Sequence, residues 1–147
     1  MKTAILYVSV HHGNTKKVVD AMAEVLSADV IDLTKQKDID LSDYDLIGLA
    51  SGAYYQNMHK RVQQFASDAQ LRSGQKTFLV CTCGAAFRAY TKGVRKILEK
   101  KQIEVLNSFQ CRGFNTYGPF ALFGGMGKGR PNEQDLEQAK EYARKLL

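Results

Sequence analysis

No apolar run in this 147-residue chain approaches the ~20 residues that a membrane-spanning helix requires. The opening "MKTAILYVSVHHGN" has a single lysine and only a short apolar core before a polar turn, which is not the pattern of a secretory leader. Cysteine is scarce: Cys81, Cys83 and Cys111 are an odd number, and without an export signal they are expected to be thiols, not a disulfide framework. There is no internal repeat, linker or low-complexity segment. These absences leave a cytoplasmic protein as the expectation, with no membrane span. Charged residues make up 24% and hydrophobic residues 44%, the profile of a soluble globular chain. The length suits one domain over 1–147.

The formal charge of +6 raises the question of nucleic acid. Lysine and arginine are spread along the chain in small clusters such as Lys16–Lys17, Arg95–Lys96 and Lys100–Lys101. No aromatic-studded basic motif accompanies them, so nucleic acid is not an expected partner. The charge instead biases which partners or anionic ligands approach.

Five short apolar runs are candidate strands: 3–9, 28–33, 45–51, 76–82 and 104–114. Several are nearly continuous in apolar residues, as parallel strands covered on both faces are. Helical spacing lies between them. One stripe is Val18, Val19, Met22, Ala23 and Leu26; a second is Val62, Phe65, Ala66 and Ala69. A third is Val94, Ile97 and Leu98, and the last is Leu136, Ala139, Tyr142, Ala143 and Leu146. The link between the second and third strands has room for a single turn at most. Alternating strands and helices imply an open α/β sheet with right-handed crossovers. Pro131 or Asn132 is expected to start the last helix, with Glu133 and Asp135 in its first turn.

The first strand gives way to a helix through "SVHHGNT", residues 9–15. In open α/β sheets ligands bind beyond the carboxyl ends of the strands, where strand order reverses. A strand-to-helix turn there presents backbone N–H groups and the positive end of a helix dipole, both suited to a phosphate. Ser9, Asn14 and Thr15 add side-chain donors, and Gly13 permits close backbone approach. The chain has no G-x-x-x-x-G-K-[ST] and no G-x-G-x-x-G, so neither a nucleotide-hydrolysing loop nor a Rossmann dinucleotide site is expected. Adjacent histidines can bind metal, but no Asp, Glu or Cys stands near His11 and His12 in sequence, and no metal site is read here.

"YVSVHHGNT" resembles the phosphate loop of flavodoxins, in which a Ser/Thr-rich turn ends in G-N-T after the first strand. His11 and His12 depart from that pattern, where small residues are usual. "YDLIGLASGAYYQNMHKRVQQF" is similar to the third strand and flavin-contacting loop of short flavodoxin-like proteins, a group that includes relatives of bacterial protoporphyrinogen oxidases. The resemblance implies a flavodoxin-like three-layer α/β sandwich with a five-stranded parallel sheet in order 2-1-3-4-5. It implies FMN as cofactor, with Ser9, His11, His12, Gly13, Asn14 and Thr15 at its phosphate. The ring is then expected against Ser51, Gly52, Ala53, Tyr54 and Tyr55, and against Cys83, Gly84, Ala85, Ala86 and Phe87. Phe87 or Tyr90 is a candidate to cover the other face of the ring. Gly52 or a neighbour is a candidate for the peptide that reorients toward reduced N5. An imidazole of His11 or His12 beside the phosphate would bind FMN more tightly below neutral pH. Arg88 near the ring would favour its reduced anion.

No residue is read as catalytic. The implied function is electron transfer with redox partner proteins or a small redox substrate. Two alternatives stand beside it: an FMN-dependent oxidoreductase acting on a quinone or porphyrinogen, and a flavin-free interaction module of the same fold.

Overall fold

The computed structural model describes residues 1–10, 13–84, 89–113 and 128–147. Its centre is β1 (Thr3–Val8), whose six residues are all buried. A strand covered on both faces has no polar side, which is why "TAILYV" reads as continuous apolar sequence. Ala4, Leu6 and Val8 face one helical layer, while Ile5 and Tyr7 face the other. Parallel partners flank β1: β2 (Asp29–Asp32) on one side and β3 (Leu46–Tyr54) on the other. Next comes β5 (Lys76–Cys83), paired with β3 from Leu46↔Lys76 to Gly52↔Thr82.

The sheet runs β2-β1-β3-β5-β6, with β6 (Glu104–Val105) and β7 (Phe109–Arg112) sharing the outer edge of β5. The expected strand order therefore holds, but the run 104–114 is two short strands. Arg95 explains the break: its guanidinium donates to the Val105 and Leu106 carbonyls at 3.1 and 2.6 Å and to the Ser108 hydroxyl at 3.0 Å. Carbonyls held by a side chain are satisfied outside the ladder.

Helices α1 (Asn14–Leu26) and α4 (Glu133–Leu146) cover one face of the sheet through Val18, Met22, Ala139 and Ala143. The opposite face is covered by α2 (Lys60–Asp68) and α3 (Lys92–Lys100), through Val62, Ala66, Val94 and Leu98. Gly48 makes the first layer possible. A Cβ there would lie 2.4 Å from the Phe78 ring, and Phe78 is among the largest fully buried side chains. The link from Asp32 to Leu46 has no helix, as its length predicts. It is pinned by the buried Gln75 amide, which donates to the Leu41 and Tyr44 carbonyls at 2.7 Å each.

Candidate functional site

The carboxyl ends of β1, β3 and β5 meet the first turns of the helices along one edge of the sheet. Strand order reverses there, between β1 and its neighbours. After Val8 the chain enters α1 through Gly13, an N-cap at φ 66° that has no side chain to cap with. Among the described residues, and apart from its chain neighbours, nothing lies within 4 Å of where a Gly13 Cβ would be. Ser9 Oγ reaches over to accept the Lys16 N–H at 3.3 Å, steadying the helix start from seven residues upstream. Asn14 and Thr15 are buried. The Thr15 hydroxyl meets that of Thr82, at the end of β5, at 2.9 Å. Asn14 lies against Gly113: a Cβ on Gly113 would sit 2.7 Å from Asn14 Nδ2. The helix start is thus fixed from β5 and from the residue following β7. His11 and His12 lie outside the described residues.

The segment after β3, expected as a loop from Ser51 onward, is largely strand. β3 continues to Tyr54, turns through Tyr55 and Gln56, and returns as β4 (Asn57–Met58), pairing Tyr54 with Asn57. Both turn residues have positive φ, 49° and 66°, as a two-residue type I′ hairpin demands. Ser51 is fully buried and works inside this hairpin. Its hydroxyl donates to the Gly52 carbonyl at 2.8 Å and accepts the His59 N–H at 3.0 Å. Gly52 is held in the ladder opposite Thr82, and the tight turn lies three residues further on. Ala53 and Tyr54 are half-buried. Tyr55 stands at the tip with 84% of its surface exposed. His59 caps α2, its Nδ1 accepting the Arg61 N–H at 2.9 Å. Burial pushes its pKa below the ordinary histidine value, so it is a neutral cap.

At the end of β5, Cys83 is buried and its thiol donates to the Cys111 carbonyl at 3.4 Å. The Gly84 carbonyl accepts Arg112 Nε at 3.0 Å, and the Cys83 carbonyl accepts the Gly113 N–H at 2.8 Å. Ala85, Ala86, Phe87 and Arg88 lie outside the described residues. Tyr90, the other candidate for the ring face, is buried among the side chains under α2 and α3. Cys81 and Cys83 share that layer, as their spacing implies, whereas Cys111 faces the α1 and α4 layer. Burial pushes the Cys83 thiol up to about 11 and the Cys111 thiol up to about 12. Groups so reluctant to ionise are poor nucleophiles and poor metal ligands. No cluster of His, Cys, Asp and Glu suited to a metal exists among the described residues.

Three contributors to this edge escaped the sequence reading: Thr82, Arg112 and Gly113. Each acts on a residue distant in sequence, so no local spacing marks it. "CRG", inside the candidate strand 104–114, is the one trace of the last two.

Comparison with known proteins gives the family and the fold. A flavodoxin-domain family model matches residues 4–118, and the chain belongs to the flavodoxin family. It is 40% identical to Uncharacterized protein MJ0298 of Methanocaldococcus jannaschii over 149 residues, covering 100% of this chain and 99% of that one. A solved flavodoxin from the domain Archaea superposes with TM-score 0.72 at 16% identity, covering 98% of this chain and 95% of the other. A Fusobacterium nucleatum flavodoxin mutant bound to flavin mononucleotide gives TM-score 0.67 at 15% identity, with coverage of 100% and 98%. These structures support the flavodoxin-like fold.

Proposed function

We propose that the chain is an FMN-binding electron carrier whose cofactor phosphate sits in the turn between β1 and α1. The observation behind this is the start of α1. It opens at the switch point of the sheet, has a glycine cap whose Cβ direction meets no described residue beyond its chain neighbours, and has no acidic residue in its first turn. The first N–H groups of any α-helix lack intrahelical partners, and with the dipole they favour an anion. Flavodoxins are a standing example of the switch-point rule. An FMN-bound relative of the same fold supports this choice of cofactor.

Gly13, Asn14 and Thr15 would hold the phosphate, together with Ser9, His11 and His12 as the sequence reading has them. The ends of β3 and β5, with Gly52 to Tyr55 and Cys83 to Phe87, would flank the ring. FMN supplies the electron chemistry when bound; the protein orients it and shields it from water. No acid–base side chain is asked for at this edge. His59 is engaged as a neutral cap, and the thiols of Cys83 and Cys111 stay protonated at neutral pH.

The test is titration of the cofactor-free chain with FMN and with riboflavin, followed by flavin fluorescence. One FMN per chain is expected, with riboflavin at least tenfold weaker because it lacks the phosphate. No association with FMN would overturn the reading. Inertness toward NADH, quinones and porphyrinogens is expected of a carrier, and turnover of any of them would favour the oxidoreductase alternative.

A further inference from the structure

Cations are distributed unevenly over this molecule. Helices α1, α2 and α3 all begin at the carboxyl edge of the sheet, and none has an acidic residue in its first turn. Lysines stand at their starts: Lys16 and Lys17, Lys60, and Lys92. Lys16 is matched by Asp20 at 2.7 Å. Lys17, Lys60, Lys92 and, ahead of α4, Lys128 are exposed and enter no ion pair among the described residues. The acids at this edge do not balance them. Asp20 and Asp135 are taken by Lys16 and Arg130, which leaves Asp32 and Glu133.

The opposite edge is mixed in sign: Lys76 and Lys100 are exposed there and enter no ion pair among the described residues, but Lys76 lies opposite Glu104 in the ladder and Lys100 follows Glu99. There Arg72 meets Asp45 at 3.4 Å, and Lys101 donates to the Ser67 carbonyl at 2.8 Å.

We infer that the carboxyl edge is a docking surface for an acidic electron-transfer protein, a reading that rests on this edge being the redox edge. The four lysines belong to helix starts on both faces of the sheet. With packed layers about 10 Å apart, the two sides are roughly 20 Å from one another, which is too wide for one small anion and fits a protein face. Between them rises Tyr55, the one exposed aromatic among the described residues. Its hairpin projects beyond the last ladder pair of β3 and β5. A tyrosine at φ 49° is a strained conformation of the kind that marks functional loops. An exposed tyrosine on an edge that carries unpaired lysines is the composition of a protein-interface hot spot with electrostatic steering. A nucleic-acid groove would need a row of stacking aromatics.

The test uses the full chain and a strongly acidic plant-type ferredoxin as probe, with dissociation constants measured at 20 and 200 mM NaCl. Two double variants of identical net charge are compared: Lys60→Glu with Lys92→Glu at the carboxyl edge, and Lys76→Glu with Lys100→Glu at the other. The expected result is at least tenfold weakening by salt, at least tenfold weakening in the first variant, and less than threefold in the second. Circular dichroism checks folding, which acids placed in helix first turns should not impair. Equal effects of the two variants would overturn the inference. So would absence of ferredoxin binding, or tighter, equally Lys60- and Lys92-dependent binding of a twenty-nucleotide oligothymidylate. FMN titration of each protein separates the readings: wild type that docks ferredoxin without binding FMN refutes the cofactor assignment and leaves the docking surface standing.

Discussion

Helix α4 begins the way a helix left to its own preferences would; helices α1 to α3 do not. Asn132 and Asp135 form a reciprocal capping box at α4, with 2.9 Å bonds in both directions. Glu133 joins Asp135 in its first turn, and Arg144 and Lys145 occupy its last. A side-chain cap contributes ~1 kcal/mol and each well-placed charge ~0.3–1 kcal/mol. At α1 the cap is a glycine without a side chain, lysines occupy the first turn, and no acid is present. Thr91 at α3 makes no side-chain cap bond. The same chain therefore contains both solutions, and the departures fall where β1, β3 and β5 end. The difference teaches that α4 is an anchor for the fold, while α1, α2 and α3 begin with lysines and no acid, positive toward something outside the protein.

The largest effect is expected from breaking the anchor. Asp135 is buried and forms a bidentate pair with Arg130, at 2.6 Å through Nη2. Burial alone would raise its pKa, but the Arg130 and Asn132 bonds outweigh burial and hold the carboxyl below its ordinary value. Asp135→Ala should cost ~2–4 kcal/mol, near the lower range for removing one member of a buried pair because Arg130 is partly exposed. Urea denaturation measures it. A carboxylate whose folded pKa is depressed contributes stability that is complete above its unfolded pKa and lost as pH falls through the folded one. Wild type should therefore lose more stability than Asp135→Asn between pH 5 and pH 3. Equal losses would mean that the pair contributes nothing.

The open start of α1 is broken from a distance. Gly113→Ala would bring a methyl group to within 3 Å of the Asn14 side chain, and Asn14 together with the first turn must shift. FMN affinity should fall about tenfold, equivalent to ~1.4 kcal/mol, as read by fluorescence titration. Unchanged affinity would show that the phosphate turn is insensitive to how Asn14 is packed.

That contact also shows where sequence reading stops. Val18, Met22 and Leu26 were legible as a helix face because burial on one side imposes a 3.6-residue period. The run "TAILYV" was legible because a central parallel strand is apolar throughout. Gly13 to Thr15 were legible as a helix start because strand, turn and helix follow one another directly. The break between β6 and β7 was not, since it depends on Arg95 reaching carbonyls 10 and 11 residues ahead. Nor was the hairpin carrying Tyr55: Tyr–Gln lacks the Asn–Gly signature of its turn type. The buried Ser51 hydroxyl and its bonds within that hairpin were not legible either. Pairings such as Asn14 with Gly113 and Thr15 with Thr82 exist only once the sheet has assembled.

The Thr15–Thr82 pair allows a smaller test of how the open start is held. Thr15→Val keeps the side-chain shape and leaves the buried Thr82 hydroxyl without this partner. A loss of about 1 kcal/mol is expected, and Thr15→Val with Thr82→Val should recover part of it, since no hydroxyl is then stranded. Additive losses in the double variant would show that the two hydroxyls do not interact.

The smallest effect bears most directly on the contrast between the helices. Lys92 is the first residue of α3 and Glu133 the first of α4, so the two positions differ in the sign of charge offered to the same kind of dipole. Lys92→Glu should raise stability by ~0.3–1 kcal/mol, and Glu133→Lys should lower it by a similar amount. Both changes should shrink in 1 M salt, where charges are screened beyond ~3 Å. Thermal unfolding at low and high salt reads the two together. A gain at position 92 means that the native lysine is held against the preference of its own helix, which leaves an external anion or an acidic partner as its purpose. A loss there would mean that Lys92 supports the fold, and the division between an anchoring helix and three receiving ones would not extend to α3.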